Sequence, residues 1–321
     1  MTPNVSALII GYQRLSGVQI NIENCVRNGI QNIFVSIDYP KVGNIESMSR
    51  YNAILDYLSQ ISVSEGLDIY VRSSKSNIGC AVNVVTACEW FFSNCDFGVI
   101  LEDDCRPNDS FFSFAREALT DLSSSKDTWM ICGTQLVPTP QIGGDRIFSV
   151  YPQVWGWATS SEKWSEIRSV FFREEKVQWP KCVTLAEKTY WKSGEKRARE
   201  GFLDAWDIIL ASEMRRRVKF AITPRFNLVS NIGVDEHSTH TIANSQWMAH
   251  PVHHFEKLND EIILDNEANM WLRDNFYKIR FRHIFSTKFT ALLDRLIPSR
   301  KGFLPLKDRL KPDFVYLPKS Y

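Results

Sequence analysis

The segment Leu101-Glu102-Asp103-Asp104 places three carboxylates in a row directly after an apolar run. Groups so close repel one another and resist ionisation until a cation neutralises them. Hard oxygen ligands of this kind suit Mg²⁺ or Mn²⁺, which keep coordination positions for phosphate oxygens and water. The plainer reading is an acidic helix start, because Pro107-Asn108-Asp109-Ser110 opens a helical pattern and acidic side chains are favourable there. Three other groups bear on the choice. Gly11-Tyr12-Gln13-Arg14 follows the first apolar run, Asp38 ends the second, and Asn77-Ile78-Gly79 follows the third. Arg14 offers a cation to phosphates, and Asp38 offers an acceptor to the N–H of a pyrimidine edge. Taken singly, each also reads as a surface charge or a turn former. Their common position after apolar runs is what favours a shared site.

The elements that would hold these groups follow from the apolar pattern. Val5 to Ile10, Asn32 to Asp38, Asp68 to Arg72, Phe97 to Leu101 and Trp129 to Gly133 are short apolar runs, predicted as strands, most of them buried on both faces. Helical spacing covers Val18 to Asn28, Ser47 to Gln60, Ala81 to Phe92, Ser110 to Leu122 and about Leu203 to Arg216. Strands alternating with helices predict βαβ units, an α/β fold and a mostly parallel central sheet. In such sheets ligands gather at the carboxyl ends of the strands, where Arg14, Asp38, Gly79 and the acidic triplet all fall. From residue 134 to 245 the pattern loosens into Pro- and Gly-bearing loops that hold most of the tryptophans.

Composition excludes several classes. The chain has 321 residues, enough for a sizeable core, and 38 basic against 37 acidic side chains, so general nucleic-acid binding is not indicated. No apolar run has the length of a membrane span, and the N-terminus has no secretory pattern. Seven cysteines without a C-x-x-C pair fit a reduced, cytoplasmic protein. Charge is uneven, however: residues 273–321 hold 12 Lys/Arg and 4 Asp/Glu, a local net of +8.

The order Arg14, Asp38, Asn77-x-Gly79, Glu102-Asp103-Asp104 resembles the metal-dependent glycosyltransferases of the GT-A fold. It is most similar to N-acetylglucosaminyltransferase I and to bacterial sugar transferases of polysaccharide and O-antigen assembly. The likeness continues through Pro107 and Phe111-Phe112-x-Phe114, Trp155-Gly156-Trp157-Ala158-Thr159 with Trp164, and Asp204-x-Trp206. It ends in Asn227-Leu228-Val229-Ser230-Asn231-Ile232-Gly233 with Thr239-His240-Thr241. It spans roughly residues 5 to 245.

The resemblance implies transfer of a sugar, with inversion, from a nucleotide donor, UDP-linked and of GlcNAc type, to a carbohydrate hydroxyl. Asp104 would bind Mn²⁺ or Mg²⁺, while Glu102 and Asp103 would hold ribose, sugar hydroxyls or metal-bound water. Gly11, Arg14, Asp38, Asn77, Gly79 and Trp157 would complete the donor site, with Asp38 on the base, Arg14 on the diphosphate and Trp157 near the sugar. Asp204 would be the catalytic base, with Asp207, one helical turn along, as its competitor. His240, and less directly His237, would approach the cation from a polar loop. In this reading residues 1–270 form the GT-A domain, with a nucleotide-sugar half to about 133 and an acceptor half beyond it, and 271–321 a basic helical extension. Phe276, Ile279, Phe281, Ile284, Phe285, Phe289, Leu292, Leu293 and Leu296 recur there at near-helical spacing among basic residues. Such a stripe either lies on an anionic membrane, here the inner face of the plasma membrane beneath a lipid-linked acceptor, or packs against the domain. Two other functions compete: a nucleotidyltransferase acting on a sugar phosphate, for which the Gly11 to Arg14 loop is short and glycine-poor, and a carbohydrate-binding protein without catalysis.

Overall fold

Four apolar runs form the parallel centre of a sheet with ten strands among the described residues: β1 (Ser6–Gly11), β2 (Asn32–Ile37), β3 (Asp68–Ser74) and β4 (Phe97–Glu102), in the order β3-β2-β1-β4. The computed structural model describes residues 4–64, 67–138, 145–172, 177–233, 262–281, 287, 290, 293, 294, 296, 297 and 301–317. Successive side chains of a strand point to opposite faces, so these uniformly apolar strands require cover on both. Ala7, Ile9, Ile33 and Val35 pack with α1 (Leu15–Arg27), α2 (Ile45–Ser64) and α4 (Asp109–Ser124). Leu8, Ile10, Phe34 and Ile100 pack on the other face with α3 (Cys80–Phe92), α5 (Ser161–Phe172) and α7 (Asp207–Arg217). The α/β class and the parallel centre agree with the sequence pattern.

Beyond β4 the sheet becomes mixed. The short strand β5 (Cys105–Pro107) leaves it to pair with β10 (Val229–Asn231). β6 (Thr128–Cys132) is separated from β4 by β8 (Trp157–Ser160), antiparallel to both. β7 (Arg146–Ser149), β9 (Phe220–Pro224) and β11 (Ile262–Leu264) extend that side. Neither α5 nor α6 (Leu185–Arg199) stands out in the sequence. Their exposed faces dilute the apolar spacing, and α6 is held to α7 by buried ion pairs such as Arg216 with Glu195 and Arg215 with Glu187. The helix expected from Leu203 begins at Asp207, because Gly201 turns with φ 86° and Asp204 turns its side chain toward α3.

The C-terminal stripe differs from expectation where it is described. A π-helical turn, Leu272–Phe276, is followed by Lys278 with φ 52°, and a left-handed residue ends a right-handed helix. No helix therefore runs from Phe276 through Phe281: Ile279 is buried, whereas Phe281 is 69% exposed. Ile284, Phe285, Phe289 and Leu292 lie outside the described residues. The chain then returns to the sheet. Leu306 and Leu310 are buried, and β12 (Phe314–Tyr316) pairs antiparallel with β3, covering that edge. Arg72 fixes it there, its guanidinium 3.8 Å from the Phe314 ring and bonded to Ser36 and Thr86. No helix among the described residues is long and apolar enough to cross a membrane, and all seven cysteines are free.

One close approach joins the fold to the strand ends. Gly17, in the first turn of α1, sits so near the Asp103 carbonyl that an added Cβ would overlap it. Gly17→Ala therefore displaces backbone and is expected to cost about 1–3 kcal/mol, the usual penalty of overpacking. A urea midpoint lowered at unchanged slope is the expected result; an unchanged midpoint would contradict the contact.

Candidate functional site

The carboxyl ends of β1 to β4 open on one crevice lined by Gly11, Arg14, Asp38, Asn77, Gly79, Glu102, Asp103, Asp104 and Asp204, with Tyr12, Lys41, Asn83 and Phe303 among the other walls. The structure thus brings together nearly all the residues singled out in the sequence. It also assigns them different work.

Three of the acids are occupied by structure. Asp103 turns back beneath the β1 loop, accepting from the Tyr12 amide at 2.9 Å, the Arg14 amide at 3.4 Å and Arg14 Nη1 at 3.1 Å. Arg14 therefore reaches the crevice already engaged with a buried carboxylate. Asp38 accepts four hydrogen bonds: on Oδ1 from Ser74 Oγ (2.8 Å) and the Ile78 amide (2.9 Å), on Oδ2 from Asn77 Nδ2 (3.0 Å) and the Gly79 amide (2.9 Å). Burial nevertheless pushes its carboxyl above the ordinary range, against the hydrogen bonds that hold it down. A carboxylate so fully used builds the 74–79 turn instead of offering a spare lone pair to a base edge.

Asp204 has a similar role. It accepts from the Cys80 amide at 2.7 Å and the Ala81 amide at 3.2 Å, and pairs with Arg309 at 3.4 Å. The residue at the cap position of α3, Gly79 with φ 82°, has no side chain to satisfy those amides, and any Cβ there would strike Asp204. Asp204 is thus the remote N-terminal cap of α3. Both of its oxygens are engaged, by the start of α3 and by Arg309.

Glu102 and Asp104 contrast with these. Among the described residues no hydrogen-bond donor meets the Glu102 carboxylate. Burial pushes its carboxyl well up, Asp104, Asp103 and Asp207 add to the shift, and Arg14 opposes it. Asp104 is pushed up to about 6, first by burial and then by Asp103, with Arg14 and a hydrogen bond from Asn231 opposing. Asn231, the last residue of β10, and Gly233 just beyond it reach Asp104: the Ile232 amide bonds the Asp104 carbonyl at 2.9 Å, and a Cβ on Gly233 would stand 2.6 Å from Oδ2. A raised Glu102 beside a raised Asp104, which adds to the Glu102 shift, fits a divalent cation that takes one or two protein oxygens and completes its shell with phosphate and water. Among the described residues no third His, Cys, Asp or Glu joins them in a chelating group. His237 and His240, with Thr239 and Thr241, lie outside the described residues.

Asp207, the first residue of α7, is exposed, and its charge is felt by Glu102, Cys80, Tyr190 and Tyr277. Trp157 corrects the expectation of a sugar contact: it is 1% exposed, in the core against Trp206 at 5.6 Å and Trp164 at 6.5 Å. Being on β8, between β4 and β6, it points into the helix layer. Trp155, before the Gly156 turn (φ 67°), is only half-buried. Asn231 lay within the quoted motif but drew no role, and no sequence signal marks Phe303 or Arg309.

No protein-family model and no curated protein matches the chain. Among solved structures it is similar to a UDP-glucose pyrophosphorylase complexed with UDP-glucose, at 10% identity and a TM-score of 0.36, covering 70% of this chain and 91% of that one. A likeness at that score carries no argument about activity.

The cap role of Asp204 has a measurable consequence. In Asp204→Asn the amide nitrogen must face either a backbone N–H or Arg309, so a buried donor loses its acceptor. The expected loss is about 1–3 kcal/mol in chemical denaturation. Stability equal to wild type would remove Asp204 from that role.

Proposed function

We propose that this protein is a divalent-metal-dependent glycosyltransferase of GT-A architecture, transferring a sugar from a nucleoside diphosphate donor, UDP-linked, to a carbohydrate hydroxyl with inversion. The observation that carries the reading is the Glu102–Asp104 pair, both raised by burial at the end of β4 in a crevice that Arg14 also lines. Asp104 and Glu102 would hold Mn²⁺ or Mg²⁺, which when bound neutralises charge on a diphosphate leaving group. Asp103 fixes Arg14 at the same end, where a guanidinium suits phosphate oxygens.

In the reaction the acceptor oxygen attacks the anomeric carbon, the bond from that carbon to the diphosphate oxygen breaks, and the nucleoside diphosphate leaves. The hydroxyl proton needs an acceptor on the face opposite the leaving group. Asp207 is the better candidate: it is exposed and electrostatically coupled to Glu102, whereas Asp204 is committed to α3. The nucleotidyltransferase alternative is separated by products. Glycosyl transfer or slow hydrolysis releases UDP from a UDP-sugar, while a nucleotidyltransferase releases pyrophosphate from a nucleoside triphosphate and a sugar phosphate.

Two substitutions test the assignment. Asp104→Asn should reduce Mn²⁺-dependent UDP release from a UDP-sugar by roughly a hundredfold or more, since metal assistance is worth several kcal/mol. Full turnover with unchanged metal dependence would refute it. Asp207→Asn should leave UDP affinity within about twofold and slow transfer by about 10² to 10⁴, the usual worth of general-base help. Wild-type transfer by this variant would end the role of Asp207.

A further inference from the structure

The C-terminal segment that covers the β3 edge also forms part of the crevice, and this follows from a set of contacts around Phe303 and Arg309. Phe303 lines the crevice wall. Its amide donates to the Gly201 carbonyl at 3.2 Å, and Gly201, with φ 86°, lies so close to the Phe303 carbonyl that no side chain would fit there. The Arg309 guanidinium lies 4.6 Å from the centre of the Phe303 ring. The same guanidinium donates through Nη1 to the Ile78 carbonyl at 3.1 Å and pairs with Asp204 at 3.4 Å, so it joins Phe303 to the turn and helix start that follow β3. Arg309 Nε and Nη2 are buried with no partner among the described residues. Leaving buried donors unmade is costly, and natural folds accept such costs chiefly where function needs the group.

Position along the sheet indicates what Phe303 would meet. Glu102 and Asp104 stand at the end of β4, whereas Ile78 and Gly79 follow β3, and β1 and β2 lie between. Three strand spacings of about 4.8 Å each put the two ends roughly 14 Å apart. A nucleoside diphosphate whose phosphates lie at the carboxylates would extend its base toward the β3 end. Nucleobases stack on aromatic side chains whatever their identity.

We infer that Phe303 is a donor-binding residue that packs against the nucleoside, and that Arg309 is its positioning residue, holding the ring and, through Asp204, the 77–81 turn. The inference rests on the functional reading above and extends the donor site into a segment outside the family-like region. The C-terminal segment is then part of the binding site as well as cover for a sheet edge.

The test compares two probes in the presence of Mn²⁺, UDP and inorganic pyrophosphate, by calorimetric titration of the full chain. Both probes can engage a metal-carboxylate site, and only UDP has a nucleoside. Phe303→Ala should raise the Kd for UDP by roughly tenfold, within the range of stacking losses, and leave pyrophosphate within twofold. Phe303→Leu, which keeps most of the volume, guards against a folding defect and should show the same selectivity for UDP. Arg309→Ala should weaken UDP selectively, with partial recovery in Arg309→Lys. Leu304→Ala, an exposed neighbour, should match wild type. Equal losses for both probes, or no loss for either, would overturn the inference and leave the metal site standing. Failure of the wild type to bind either probe would overturn the functional reading and this inference together.

Discussion

Like charges at the end of one buried strand are the constraint around which this site is built. Glu102, Asp103 and Asp104 are consecutive, and β4 is covered on both faces by helices. Burial opposes the ionisation of Glu102 and Asp104, and neighbouring carboxylates oppose it further. The fold relieves one of the three by turning Asp103 under the β1 loop, where two amides and Arg14 receive it. The other two line the crevice, and the proposed cation would offset that imbalance. The close packing of Gly17 on Asp103 and of Gly233 on Asp104 keeps the strand end from relaxing away from it.

The acids of the crevice divide by how many donors they already hold. Asp38 and Asp204 are saturated, one organising the turn after β3 and the other capping α3 across more than a hundred residues of sequence. They give the crevice its shape. In the proposed reading Glu102 and Asp104 take the cation; Asp207, outside the lining of the crevice, is exposed at the start of α7. Pre-organisation by saturated groups and chemistry by unsaturated ones is a common division of labour in binding sites.

Much of this was legible in the sequence, and the rest was not for identifiable reasons. Strands β1 to β4 could be read because double burial leaves nearly unbroken apolar runs, and the crevice followed because strand ends in such a sheet converge. The acidic triplet marked its own location. The distinction between Asp204 and Asp207 could not be read, because it depends on which carboxylate meets the free amides of α3. Trp157 and Trp155 stand in one motif with equal chemistry, and only the antiparallel insertion of β8 sends one of them into the core. The tail from residue 271 was legible as basic and 276–296 as amphipathic, but the return of the chain beyond Lys301 to β3 depends on Arg72, whose partners Phe314 and Trp90 are distant in sequence. Long-range pairing of this kind leaves no local signal.

The central claim is that the Glu102–Asp104 pair binds a divalent cation together with a nucleoside diphosphate. Anomalous diffraction at the manganese edge, on crystals grown with MnCl₂ and UDP, tests it most directly. A single strong peak within coordination distance of an Asp104 carboxylate oxygen, with UDP phosphate oxygens beside it, is the predicted result. UDP bound in the crevice with no manganese at Asp104, or manganese bound only elsewhere, would contradict the account.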